Sequence, residues 1–230
     1  MAQNKNTTEP EIQVAETDFY KKVENSFLKN KNLIIGVFAL LFLGIGGYFG
    51  YKELYLKPKS QQAENKIALP QNFFAKDSFQ LALNGDGIND GFLQLADNYG
   101  MTKQGNLAKY CAGLCYLKLK DLDHAIQYLE DFNPETDELS GLKYMNLGHA
   151  YADKENYAKA IESYKKAGET ANSDYYSPLY YKMAGDLMAY QNDFKGAKEI
   201  YELIKRDYPL SEQGANIDAD IAYADAKLGL

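Results

Sequence analysis

One frame of small and aromatic residues occurs three times in this chain, at intervals of 35 and 37 residues, and it limits the fold more tightly than any other feature. It is clearest between Gly141 and Gly168. A first apolar stretch carries Tyr144, Leu147, Gly148 and Tyr151; a polar break follows at 154–156; a second stretch carries Tyr157, Ala160, Ile161, Tyr164 and Ala167. Recurrence at three and four residues places each set on one face of a helix. The pattern therefore predicts two antiparallel helices joined by a short turn. Gly148 and Ala160 are small where the two helices cross, and the aromatics fill the space on either side.

The upstream copy sets Ala112, Gly113 and Tyr116 on a first helix, then Leu122, Ala125, Ile126 and Leu129 on a second. The downstream copy sets Tyr181, Ala184, Gly185 and Met188 before Phe194, Ala197, Tyr201 and Ile204. Pro209 ends that copy where a proline stops a helix. An aromatic, Leu-Gly and Tyr on one helix with Ala, an aromatic and Ala on the next resembles the tetratricopeptide repeat. The upstream copy departs from that pattern by carrying Lys109 where the aromatic belongs. The expectation is an all-α helical solenoid over 70–230, with copies at 106–139, 141–172 and 178–210. Residues 71–104 read as a degenerate first copy, and 211–230 as a capping helix with Ile217, Ile221 and Ala224 on one face. Each unit buries its apolar face only against its neighbours, so three copies are about the minimum for a stable stack.

Leu33 to Tyr51 is a run of 19 residues without a charged or amide side chain. As a helix it spans about 28 Å, close to the ~30 Å hydrocarbon core of a bilayer. It shows no polar face, and Tyr48, Phe49, Tyr51 and Tyr55 collect at its C-terminal edge as an interfacial belt does. The preceding tail is too long for a signal peptide and no small-residue cleavage site follows. One N-terminal transmembrane helix at 33–51 is expected, between a tail at 1–32 and a linker at 52–69. Within the tail, Phe19, Tyr20, Val23, Phe27 and Leu28 share one helical face, and the first dozen residues have a disordered composition. Gly46 and Gly50 form a GxxxG spacing suited to close packing against another membrane helix. Lysines within 15 residues of the span are tied between its two ends, so charge does not set the orientation. Large domains cross regardless of charge, which favours the short tail inside and the repeats outside.

The net charge of −7 lies entirely beyond residue 51, because the tail carries five lysines and five acids. An acidic domain repels phosphate backbones, which argues against a nucleic-acid partner. Cys111 and Cys115, one helical turn apart, read as small buried apolar residues. The loop NGDGINDG lacks the oxygen-ligand register of a calcium loop and reads as a tight connection. His124 and His149 have no nucleophile or paired carboxylate at useful spacing, and no phosphate-binding glycine loop or zinc motif occurs. No cofactor, metal or catalytic residue is expected.

In tetratricopeptide domains the first helices line a concave groove. The resemblance places Tyr110, Leu114, Leu117 and Lys118 there, then Met145 and His149, then Lys182, Asp186 and Tyr190. These residue types suit an extended or helical peptide. An anchor followed by repeats also resembles the single-pass ancillary subunits of the SecYEG translocon in bacterial inner membranes. That resemblance covers nearly the whole chain, including the Gly-rich span and the run GNLAKYCAGLCYLKLKDLDHAIQYL. It implies a cytoplasmic N-terminus, a periplasmic repeat domain, and partners among the translocon and periplasmic chaperones. The other reading is a scaffold for a different envelope or cytoplasmic assembly.

Overall fold

Three turns of one design divide the helices of the repeat region. They are seen in a computed structural model that describes residue 21 and residues 28–230. In each turn one residue takes a left-handed backbone: Lys120 at φ 61°, Glu155 at 58° and Asn192 at 63°. The next residue sends its N–H back to a carbonyl near the end of the first helix, Asp121 to Tyr116, Asn156 to Tyr151 and Asp193 to Met188, at 2.8–3.0 Å. The side chain of that same Asp or Asn then accepts from the N–H three residues on, at His124, Lys159 and Gly196. A single residue thus closes one helix and opens the next, satisfying donors and acceptors that helix ends leave unpaired.

Among the described residues the chain is helical and contains no strand. The helices are α1 (Lys31–Gly50), α2 (Lys57–Ala75), α3 (Phe79–Asn84), α4 (Phe92–Tyr99), α5 (Lys103–Lys118) and α6 (Leu122–Asp131). They continue with α7 (Asp137–Asp153), α8 (Tyr157–Ala171), α9 (Tyr176–Tyr190), α10 (Phe194–Asp207), α11 (Glu212–Asn216) and α12 (Asp218–Leu228). A π-helical turn, Tyr51–Leu56, lies between α1 and α2. From α5 onward each helix packs on the next through α10, which packs on α11 and α12; α5, α7, α9 and α11 also touch in series. That is a stack of helical pairs with the first helices along one side.

The small residues sit where the crossings need them. A Cβ at Gly113 would lie 2.8 Å from Leu129 Cγ, one at Gly185 would lie 2.5 Å from Tyr201 Cε1, and one at Gly148 would overlap the Tyr164 ring. Ala125, Ala160 and Ala197, opposite these glycines, have no exposed surface. At the end of the stack Ile217 and Ile221 close over Ile200, Tyr201 and Ile204.

The boundary between two compact units falls between Lys57 and Pro58. In the first, α1 is long and apolar enough to cross a membrane, and none of its residues is buried. The amphipathic face expected in the tail lies outside the described residues apart from Leu28, which is exposed.

The segment expected as a linker at 52–69 is helical, and its second half belongs to the folded unit. Ala63 and Ile67 are buried against Phe92, Leu95, Ala96 and Tyr99, and Pro70 is buried within α2. Neither Pro58 nor Pro70 interrupts the helix. The Lys57 N–H reaches the Lys52 carbonyl five residues back, so the backbone widens just ahead of Pro58 and makes room for its ring. Contact with α4, far along the chain, holds this helix in place.

Two substitutions check this architecture. Ala160→Leu should overpack the crossing among Tyr164, Ala184 and Leu187 and cost about 1–3 kcal/mol, read as a lower melting midpoint of the full chain. Glu155→Gly should relieve the left-handed turn and add ~0.5–1 kcal/mol, read as a higher midpoint.

Candidate functional site

The crossing glycines also govern what the first helices present. The residue immediately after each glycine meets the large residue that the glycine admits. In the middle copy that residue is His149, whose Nδ1 lies 2.8 Å from the Tyr164 hydroxyl. In the last copy it is Asp186, which accepts from the Tyr201 hydroxyl at 3.0 Å. In the first copy the pair is Leu114 and Leu129, both in one apolar cluster. A buried phenol needs a hydrogen-bonding partner and a leucine does not. The polarity of this face therefore follows the choice of core residue on the second helix.

The nine residues expected on this face occupy different depths. Tyr110 is buried; its hydroxyl accepts from Asn146 Nδ2 at 3.0 Å across α5 and α7, and its ring lies 5.1 Å from that of Phe132. Burial pushes its phenol up to about 12. Leu114 and Leu117 are half-buried in the cluster formed with Leu129 and Leu147, and Met145 packs with Ala167, Ala171 and Tyr180. Lys118, His149, Asp186 and Tyr190 are exposed. Lys182, half-buried, pairs with Asp186 at 2.8 Å and with Asp220 of α12 at 3.4 Å. Desolvation lowers the Lys182 pKa, but its two carboxylate partners outweigh that and hold it above the ordinary value. Tyr190 makes an edge contact with Tyr157, ring centres 5.9 Å apart.

The fold therefore brings together Lys182, Asp186 and Tyr201, joined by Asp220, and separately His149 with Tyr164. Lys118 stands apart at the last turn of α5. Asn146 and Asp220 adjoin this face without being singled out in the sequence, and Tyr157, expected as a packing residue of the second helix, touches Tyr190 there. Asn146 adjoins Met145 on α7, and a contact to a neighbouring copy could have been read from that. Asp220 reaches the face only through the path of the capping helix, which has no local signal.

The Asp86 loop and His124 have local partners. In the loop before α4, Asp86 Oδ1 accepts from the N–H groups of Ile88 at 3.0 Å and Asn89 at 2.7 Å, forming a turn. His124 Nδ1 lies 2.8 Å from Asp121 Oδ2. The Cys111 and Cys115 thiols are each pushed up to about 12 by burial. Among the described residues no group of three or more His, Cys, Asp or Glu could hold a metal.

A stack of helical pairs with small residues at each crossing defines an α-helical repeat protein. A model of the tetratricopeptide repeat-like domain matches residues 25–226, and the chain belongs to that family. Domains of this family are generally interaction modules for protein partners. No curated protein matches the chain.

Partial shielding by the fold is the main influence holding the His149 pKa below its ordinary value, with Asp153 pulling the other way. A depressed histidine pKa means that the folded state disfavours the proton. Its stabilising contribution is complete above the unfolded value of ~6.5 and is lost as pH falls through the lower folded value. The melting midpoint of the full chain should therefore fall as pH is lowered from 7 towards 5.5, and His149→Gln should flatten that slope.

Proposed function

We propose that this protein is a membrane-tethered adaptor without catalytic activity. The apolar helix α1 anchors it, and the first-helix face of the repeats binds protein segments. The observation that carries the reading is the set of exposed groups along that face, His149, Asp186 and Tyr190, above a floor of half-buried Leu117, Met145 and Lys182. An exposed aromatic beside fixed charges offers an anchor and a register for a peptide. The family match begins at residue 25, ahead of α1, which supports treating anchor and repeats as one design. Gly46 and Gly50 leave room for a neighbouring membrane helix.

The finer reading is an ancillary subunit of the SecYEG translocon in a bacterial inner membrane, N-terminus cytoplasmic and repeats periplasmic, working with periplasmic chaperones on emerging chains. It rests on the resemblance in anchor-plus-repeat order. The acidic repeat domain is consistent with a role away from nucleic acid.

A photoreactive residue at position 190, and another at position 46, should crosslink the full chain in native membranes to translocon or chaperone components. Recovery of neither sinks the translocon reading. Asp174→Cys should react with a membrane-impermeant thiol reagent from the periplasmic side, while the shielded Cys111 and Cys115 stay silent. Labelling only from the cytoplasmic side would leave a scaffold for a cytoplasmic assembly as the surviving interpretation.

A further inference from the structure

A second candidate site lies on the side of α7 away from Met145 and His149. There α6, α7 and α8 enclose a cleft of about 250 Å³ with Tyr144, Leu147 and Tyr151 in its wall. Three lysines of the middle copy converge on it: Lys143 from α7, and Lys159 and Lys166 from α8. Lys143 Nζ donates to the carbonyls of Glu130 at 2.9 Å and Phe132 at 2.7 Å, at the end of α6. Lys159 Nζ sits 5.0 Å from the Tyr151 ring centre, and Lys166 Nζ sits 4.3 Å from that of Tyr144. Among the described residues none of the three makes an ion pair with a carboxylate.

The cleft is locally positive in a protein whose net charge is −7. It holds two carboxylates against the three lysines, and one of them, Glu130, already accepts from the Tyr151 hydroxyl at 3.0 Å. Lys143 and Lys166 share the Tyr144 ring, at 5.8 and 4.3 Å from its centre, so their charges repel. Desolvation, with a contribution from Lys166, holds the Lys143 pKa below its usual range. Lys166 is itself held above its usual range, chiefly by the Tyr144 hydroxyl with Glu162 and Glu169, so it is Lys143 whose charge an anion seated between the two amines would favour.

The repeat fold does not need these lysines. The frame positions of Lys143, Lys159 and Lys166 hold Ala108, His124 and Asp131 in the upstream copy, and Tyr180, Gly196 and Leu203 in the downstream one. The volume falls just below the ~300–1,000 Å³ of ordinary small-molecule sites, a size suited to one or two side chains. We propose that this cleft binds the acidic side chains of a partner polypeptide, with carboxylates on the lysine rim and an adjoining apolar group against Tyr144 and Tyr151. The site is separate from the first-helix face and does not depend on the reading of that face.

The test uses the full chain in detergent micelles and a fluorescein-labelled peptide of alternating Glu and Leu, followed by anisotropy. Saturable binding that weakens as salt is raised is expected. The Lys159→Gln/Lys166→Gln variant should lose about tenfold or more in affinity. The Lys159→Arg/Lys166→Arg variant, and Lys195→Gln at an exposed lysine outside the cleft, should bind as the native chain does. The proposal is overturned by unchanged affinity in the Gln variant, or by an Arg variant that loses as much as the Gln variant. Equal binding of a Gln-Leu peptide also overturns it, as does displacement by inorganic phosphate at the concentration the acidic peptide itself requires, which would mark a small-anion site.

Discussion

Close approach of two helices at a glycine is the interaction on which the rest of this structure depends. At Gly113, Gly148 and Gly185 the missing side chain lets Leu129, Tyr164 or Tyr201 lie directly on the backbone of the first helix. Each glycine costs ~0.5–1 kcal/mol of helix propensity relative to alanine, and the leucine or tyrosine it admits buries far more apolar area than a Cβ would. A tyrosine in that slot carries its hydroxyl to the edge of the crossing, where the next residue of the first helix must receive it. His149 and Asp186 do so, and both lie on the face proposed to bind partners. Core packing and surface chemistry are coupled at one position per copy.

The turns carry the same economy. Asp121, Asn156 and Asp193 each finish one helix and cap the next, which keeps the two helices of a pair antiparallel and in a constant register. Constant register stacks one pair on the next with the glycines aligned. It also brings α5, α7 and α9 side by side, as the Tyr110–Asn146 hydrogen bond across α5 and α7 shows. The two faces of the stack consequently differ. The first-helix face combines exposed rings with paired charges, whereas the second-helix side of the middle copy gathers lysines that are not paired.

Much of this was legible in the residues because it depends on local spacing. Intervals of three and four residues, with Gly and Ala recurring at 35 and 37, were enough to locate the crossings and the turns. The candidate face was legible only in part. The resemblance to the repeat sets Tyr110, Leu114 and Leu117 on one face with Lys118, yet Tyr110 is buried because Phe132 and Asn146 close over it. Depth is set by the neighbouring copy, and a helical wheel carries no information about neighbours. The folded unit starts at Pro58, ahead of the expected boundary at 70, for a related reason. Lys57–Ala75 is polar with sparse apolar positions, and its buried Ala63 and Ile67 acquire meaning only against Phe92 and Tyr99.

The sequence by itself determined that the chain is a series of helical pairs with small residues at each crossing, following an uncharged run long enough to span a bilayer. Both properties are local, resting on side-chain size and hydropathy at fixed spacing. Tertiary structure alone decided that Tyr110 turns inward, that Asp220 of the capping helix reaches Lys182, and that Lys143, Lys159 and Lys166 surround one cleft. Each of those joins residues on different helices, and their distances depend on how one pair stacks on the next.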